Sequence, residues 1–309
     1  MHILEFPDTE IKRYIPENLS ECNDLQYINM CQMFFLYQSG EITKEEMLNN
    51  AVYILMNMKA ISSQSISVEP NTNIILIQEL IESTFFEKMY NNPENSEQYQ
   101  LKLNQNYINN PVPKFKPLWK TYYGPTDGFM NLKFGEYCEA LRTFLEFNAS
   151  GNTKLLYDLA AILYRPKKAF HFIRKNLSNY DGDIRVKYNM YQTESRAIAF
   201  KQAPIGFVYG VYLFFASMQI FVSGAEVPWG DKTLDLSILF KNDGQSVDIE
   251  AQDIGLDSVV FAMAESGGFG NFEKVQNTPF WTIMIKMYDA RIKELQLQKQ
   301  QENAESSTT

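Results

Sequence analysis

Few residues in this chain are spaced for chemistry, and their spacing excludes most reactions. Histidine occurs twice, at His2 and His171, so no HxxxH or HExxH pair can form. No cysteine stands at metal-ligand spacing from either histidine, and a zinc site is not expected. Cys22, Cys31 and Cys138 form an odd, scattered set without CxxC, which reads as reduced thiols in a cytoplasmic setting. Asp181-Gly182-Asp183 opens like a calcium loop. Arg185 and Lys187 then occupy ligand positions and Gln192 replaces the bidentate glutamate, so the stretch reads as a turn before a helix. Gly267, Gly268 and Gly270 lack both the preceding strand and the following Lys-Ser/Thr of a phosphate loop, and read as a helix stop and tight loop. No GxSxG is present, and no Ser or Cys has a recognisable base partner. An enzyme whose site is assembled from scattered carboxylates such as Asp158, Asp181 and Asp183 is an alternative, which a deep pocket holding two or more of them would revive. No catalytic, cofactor-binding or metal-binding residue is assigned, no cofactor is expected, and the chain is expected not to be an enzyme.

The densest basic run is Arg165, Lys167, Lys168, Arg174 and Lys175, interleaved by Tyr164, Phe170 and Phe172. Basic residues among aromatics can bind single-stranded nucleic acid. The formal net charge of −9 disfavours that polyanion and an anionic membrane surface. The run therefore reads as a solvated helix end or as a docking patch for an acidic protein, with the cations also suiting a helix C-terminus. Arg165, Lys167, Lys168, Phe170 and Arg174 are the candidate partner-binding residues. His171, inside the run, reads as a surface or interface residue.

The element that must position the rest is Pro204 to Val222, nineteen residues without a charge and with Gln219 as the only amide. Such a stretch spans a bilayer or lies in a protein core. Tyr209 and Tyr212 would need hydroxyl partners inside lipid, and the flanks, Lys201 and Glu226, set no orientation. The core reading is preferred, with Gly206, Gly210, Ala216 and Ser217 as close-packing positions; a single membrane span is the alternative.

Around it the pattern predicts a mainly α protein with minor β at the N-terminus and around 227–243. Ile3 to Ile15 reads as a short extended segment or hairpin. Ser20 is expected to cap a helix over 21–38 that Gly40 stops, and Thr43-x-x-Glu46 fits a capping box opening the next. A third helix is expected over 73–90. Residues 91–114, with seven Asn and three Pro, read as a linker between an N-terminal helical unit, 1–90, and a main helical domain, 115–295. Further helices are expected over 133–147, from Asn152 or Thr153 to Pro166, over 184–202, over 247–265, and from Thr278-Pro279 onward. The polar tail, 296–309, reads as disordered.

Three blocks then stand in order: KFGEYCEALRTFLEFNASGNTKLLYDLAAILYRPKK at 133–168, QAPIGFVYGVYLFFASM at 202–218, and ESGGFGNFEKVQNTPFWTIMIKMYDARIKE at 265–294. Together they resemble a set of tail-region proteins of tailed phages and prophages, in which an FGxY helix precedes an ILYRP helix, a proline-glycine helix with a Phe-Phe pair, and a final helix. The resemblance covers most of 130–295; residues 20–60, after IPENLSE, also look like an N-terminal module of phage structural-region proteins. It implies a role in tail assembly, as a chaperone or adaptor holding the long helical tape-measure protein in the host cytoplasm, with a place in the virion left open. It carries over no catalytic residue. With 22 Phe, 18 Tyr and 13 Met the chain has adaptable apolar surface for a partner or for further copies of itself.

Overall fold

The computed structural model describes residues 1–6, 11–58, 72–90, 99–178, 180–229, 232–240 and 271–306. These form α1 (Asp24–Gln38), α2 (Lys44–Leu55), α3 (Thr72–Phe85), α4 (Phe134–Ser150), α5 (Lys154–Leu163), α6 (His171–Arg174), α7 (Thr193–Phe200), α8 (Ile205–Ser223), α9 (Phe272–Gln276) and α10 (Phe280–Ser306). Among the described residues strands occur in small antiparallel sheets. These are β1 (His2–Phe6) with β2 (Ile11–Ile15), β3 (Phe86–Tyr90) with β4 (Tyr99–Leu103), β5 (Lys114–Phe115), β6 (Tyr122–Tyr123) and β7 (Arg165–Pro166) in that order, and β8 (Glu226–Trp229) with β9 (Lys232–Asp235). The fold is mainly α, with the minor β expected at the N-terminus and near 227–243.

Local chemistry sets the helix starts. Asn23 opens α1: its side-chain oxygen accepts from the N–H groups of Leu25 and Gln26, and the Gln26 side chain accepts from the Asn23 N–H at 3.0 Å. Ser20, the expected cap, instead lies in a 3-10 turn, Leu19–Glu21, capped by Asn18. The Thr43–Glu46 box is present, with Thr43 N–H donating to Glu46 at 2.8 Å. Gly40 follows α1 with φ of 75°, a conformation that favours glycine.

The apolar stretch forms α8, and most of its circumference is covered by the same chain. It is the one described helix long and apolar enough to cross a membrane, and 72% of its apolar window is buried. Phe207, Val208, Phe214, Phe215 and Met218 are all at most 1% exposed, each worth about 1.5–3 kcal/mol of burial. Its tyrosines find partners: Tyr209 donates to Gln38, and Tyr212 to Asn148 at 2.8 Å. Gly206 and Gly210 are where α1 crosses it. A Cβ on Gly206 would lie 2.1 Å from the Ile28 carbonyl oxygen, and one on Gly210 2.7 Å from the Tyr27 ring. Tyr27 Oη also donates to the Gly210 carbonyl at 2.7 Å.

This crossing changes the expected organisation. Part of the proposed linker belongs to the core: Tyr107 and Val112 are buried, and Tyr107 shares a 3.0 Å hydroxyl contact with Tyr27. The Tyr107 N–H donates to Ser217 Oγ at 3.0 Å, and Tyr164 Oη to the Val112 carbonyl at 2.6 Å. Among the described residues one hydrophobic cluster includes Ile28, Leu55, Phe134, Phe214 and Phe280.

Other expectations are corrected. α3 ends at Phe85, because Phe86–Tyr90 pairs as a strand with Tyr99–Leu103. No helix covers 184–202; Lys168 N–H donates to Ile184 and Val186 N–H to Pro166, so 184–186 run extended beside 166–168, and α7 starts only at Thr193. α10 starts at Phe280, so Pro279 rather than Thr278 precedes its first residue; the Thr278 hydroxyl donates to the Lys274 carbonyl at the end of α9. α10 continues to Ser306, through most of the stretch expected to be disordered. The helix expected over 247–265 and the Gly267–Gly270 loop lie outside the described residues.

None of the three cysteines forms a disulfide, and all three are buried. Burial pushes the Cys22 thiol up to about 12 and that of Cys31 well above its usual range. Since the thiolate is the reactive form, all three are expected to resist DTNB in native buffer and to react together once denaturant is added. Labelling of any one of them in the native protein would contradict this packing.

Candidate functional site

α5 ends where the chain turns extended ahead of Pro166, which has no N–H to continue a helix. The next side chain, Arg165, folds back into the protein and is 1% exposed. It donates to the Ile162 carbonyl at 2.9 Å and to the Val186 carbonyl at 2.8 Å. Arg185 donates to the Leu163 carbonyl at 2.7 Å. Two guanidiniums therefore satisfy carbonyls at the end of α5.

The same two arginines meet two carboxylates. Glu136, in the first turn of α4, is 0% exposed and takes Arg185 as a fork, at 2.8 and 3.2 Å. Its oxygens also lie 2.5 Å from Nη1 and 3.0 Å from Nη2 of Arg165. Asp183 accepts from Arg185 Nε at 3.0 Å, from the Arg185 N–H at 2.9 Å, from Asn131 at 3.2 Å and from Arg165 at 3.4 Å. Burial drives the Arg165 pKa below its ordinary value. It acts on Arg185 in the same direction, but Glu136 and Asp183 outweigh it there and the net direction is up. The quartet balances two positive and two negative charges and ties α4, the end of α5, β7 and the 181–186 segment together.

Arg165 is therefore part of the brace, and the expectation that it joins an exposed patch is corrected. The patch itself lies just beyond. Phe170 is 68% exposed, Phe172 67%, Ile173 52% and Leu177 51%. Lys167, Arg174 and Lys175 are exposed beside them. Lys168 pairs with Asp181 at 2.7 Å and lies 5.7 Å over the Tyr180 ring. Phe170 turns the chain with φ of 54°, and His171 packs edge-on against Tyr180.

Two adjoining clefts of about 760 and 590 Å³ open next to this segment and share Lys133, Lys187, Tyr188, Glu273 and Asn277. The smaller one holds both Asp181 and Asp183, and has Arg165 and Arg185 in its floor. The oxygens of Asp183 are taken up by guanidinium and amide donors. Asp181 accepts from Lys168 and from the Asp183 N–H, and these contacts hold its carboxyl below the usual range although burial opposes them. Neither is placed as a proton carrier. Asp158 lines a different cleft, with Lys154, Glu194 and Lys201; burial raises its pKa. Two of the three candidate carboxylates, Asp181 and Asp183, thus share one cleft, while Asp158 stands apart. Among the described residues no group of three or more His, Cys, Asp or Glu could hold a metal ion.

Of the residues singled out in the sequence, Lys167, Phe170 and Arg174 lie exposed beyond the quartet and Lys168 is half-buried beside Asp181; Glu136, Arg185, Lys120, Lys133 and Lys274 are not among those candidates. The available signal for Glu136 was a carboxylate among the apolar Phe134, Tyr137 and Cys138 of one helical turn. No family model, curated protein or solved structure matches the chain.

Proposed function

We propose that this chain is a non-enzymatic assembly protein that grips another protein through the segment from Lys167 to Leu177, and that its partner is the tape-measure protein of a phage tail. The observation that carries the reading is four large apolar side chains, Phe170, Phe172, Ile173 and Leu177, exposed within eight residues and bordered by Lys167, Arg174 and Lys175. Apolar groups gathered this way on a surface mark a protein contact, and the surrounding cations favour an acidic partner. The quartet beneath holds the root of the segment, so the grip is presented from a fixed base. The likeness of the three sequence blocks to tail-region proteins supplies the partner's identity.

The test is co-expression with a phage tape-measure protein, followed by capture on the tagged chain. The combined Phe170→Ser, Phe172→Ser and Ile173→Ser variant is expected to weaken capture by more than about tenfold with an unchanged Tm. Equal capture by that variant, or no tape-measure protein on the wild-type chain, would overturn the reading.

A further inference from the structure

We infer that the lysine-lined cleft beside the exposed segment takes an acidic stretch of the partner's chain, an inference that rests on the protein-gripping function proposed above. Lys120 and Lys167 line the larger of the two adjoining clefts, Lys274 the smaller, and Lys133 both. They come from four separate places: the β5–β6 connection, the start of α4, the residue after β7, and α9. Among the described residues none of these four lysines has an ion-pair partner. Four lysines outside any ion pair on two adjoining clefts stand out in a chain whose net charge is −9, although the charge of Lys133 also acts on Asp181.

The other charges of the clefts cancel locally. Glu136 and Asp183 are committed to Arg165 and Arg185, Lys168 to Asp181, and Lys187 to Glu273. Glu139 pairs with Arg142 at 2.8 Å. What remains is lysine charge without a free guanidinium fork. Ammonium groups act as point charges and accept carboxylates in many orientations.

The class of anion follows from the spacing. Glu139, Asp181 and Glu273 interrupt the lysines along the cleft walls. A nucleic acid strand carries a charge at every nucleotide and would press phosphates against these carboxylates. A polypeptide can place its acids opposite the lysines and neutral residues opposite the carboxylates. The cleft also leads to the grip: Lys168 and Asp181 line both the smaller cleft and a further hollow formed with Arg174, Leu177 and Tyr180. One partner segment, acidic at one end and apolar at the other, would occupy both.

Fluorescence anisotropy with a fluorescein-labelled peptide of alternating Glu and Ala tests this on the full chain. The combined Lys120→Gln, Lys133→Gln, Lys167→Gln and Lys274→Gln variant is expected to bind at least about tenfold more weakly and with a flatter salt dependence. Lys274→Glu alone, at an exposed position, is expected to weaken binding in the same direction without changing Tm. Lys286→Gln with Lys293→Gln, on α10, is expected to leave affinity unchanged. The serine variant of Phe170, Phe172 and Ile173 is also expected to bind this peptide normally, which separates failure of the cleft from failure of the grip. No binding to the wild-type chain, undiminished binding to the four-lysine variant, or tighter binding of oligothymidylate than of the peptide would overturn the inference.

Discussion

Glu136→Ala is expected to lower the unfolding free energy by about 3–5 kcal/mol, the range for removing one partner from a buried ion pair. The truncation leaves Arg165 and Arg185, at 1% and 0% exposure, facing Asp183 as their one remaining carboxylate among the described residues. The backbone carbonyls of Ile162, Leu163, Asn131 and Val186 still accept from them, but carry no charge. Urea denaturation would show this as a fall in midpoint at constant m-value. The comparison is Glu273→Ala. Its pair with Lys187 is 74% and 65% exposed at the side chains, and its loss is expected to stay within about 0.5 kcal/mol. Similar costs for the two substitutions would mean that water reaches the quartet and that it is not the brace described.

Gly206→Ala is expected to cost about 3 kcal/mol, at the upper end of ordinary overpacking. The added methyl meets the Ile28 carbonyl oxygen at 2.1 Å and the Gln32 backbone nitrogen at 2.9 Å. These are main-chain atoms of α1 and cannot rotate away, so the two helices must separate. The gain in helix propensity, about 1 kcal/mol, offsets only part of this. Gly210→Ala is expected to cost less, because it meets the ring of Tyr27, although that ring is held by its bonds to Tyr107 and Gly210. Gly224→Ala, with nothing closer than 3.9 Å, is expected to be near neutral. Denaturant midpoints of the three variants give the ranking; a neutral Gly206→Ala would mean that α1 does not cross α8 at this point.

What could be read from the sequence was local or strongly periodic. The Thr43–Glu46 box needs only its own turn, the N-terminal hairpin only its two strands, and the uncharged run from Pro204 announces a helix kept from water, in a core or in a bilayer. Non-local pairing hid the rest. The asparagines of 91–114 masked the alternation of Tyr99, Leu101 and Leu103, which becomes a strand only beside Phe86–Tyr90. The 184–202 stretch lost its first part as a helix to pairing with 166–168, which local propensity does not report. The candidate site divided in the same way. The cations at 165–175 were visible as a run, but the inward turn of Arg165 depends on Glu136 and Asp183, 29 and 18 positions away. Of the cleft lysines only Lys167 belongs to that run; Lys120, Lys133 and Lys274 come from three other places and left no pattern to find.

The crossing of α1 and α8 also sets a timetable for synthesis. Tyr27 bonds to a carbonyl 183 positions later in the chain. At about 5–20 residues per second, roughly 10–40 s separate the translation of the first helix from that of its seat. Through that interval the nascent chain carries the α1 face of Tyr27, Cys31 and Phe34 without its final cover, so the emerging polypeptide passes through a sticky intermediate on the ribosome before its two ends can close on each other.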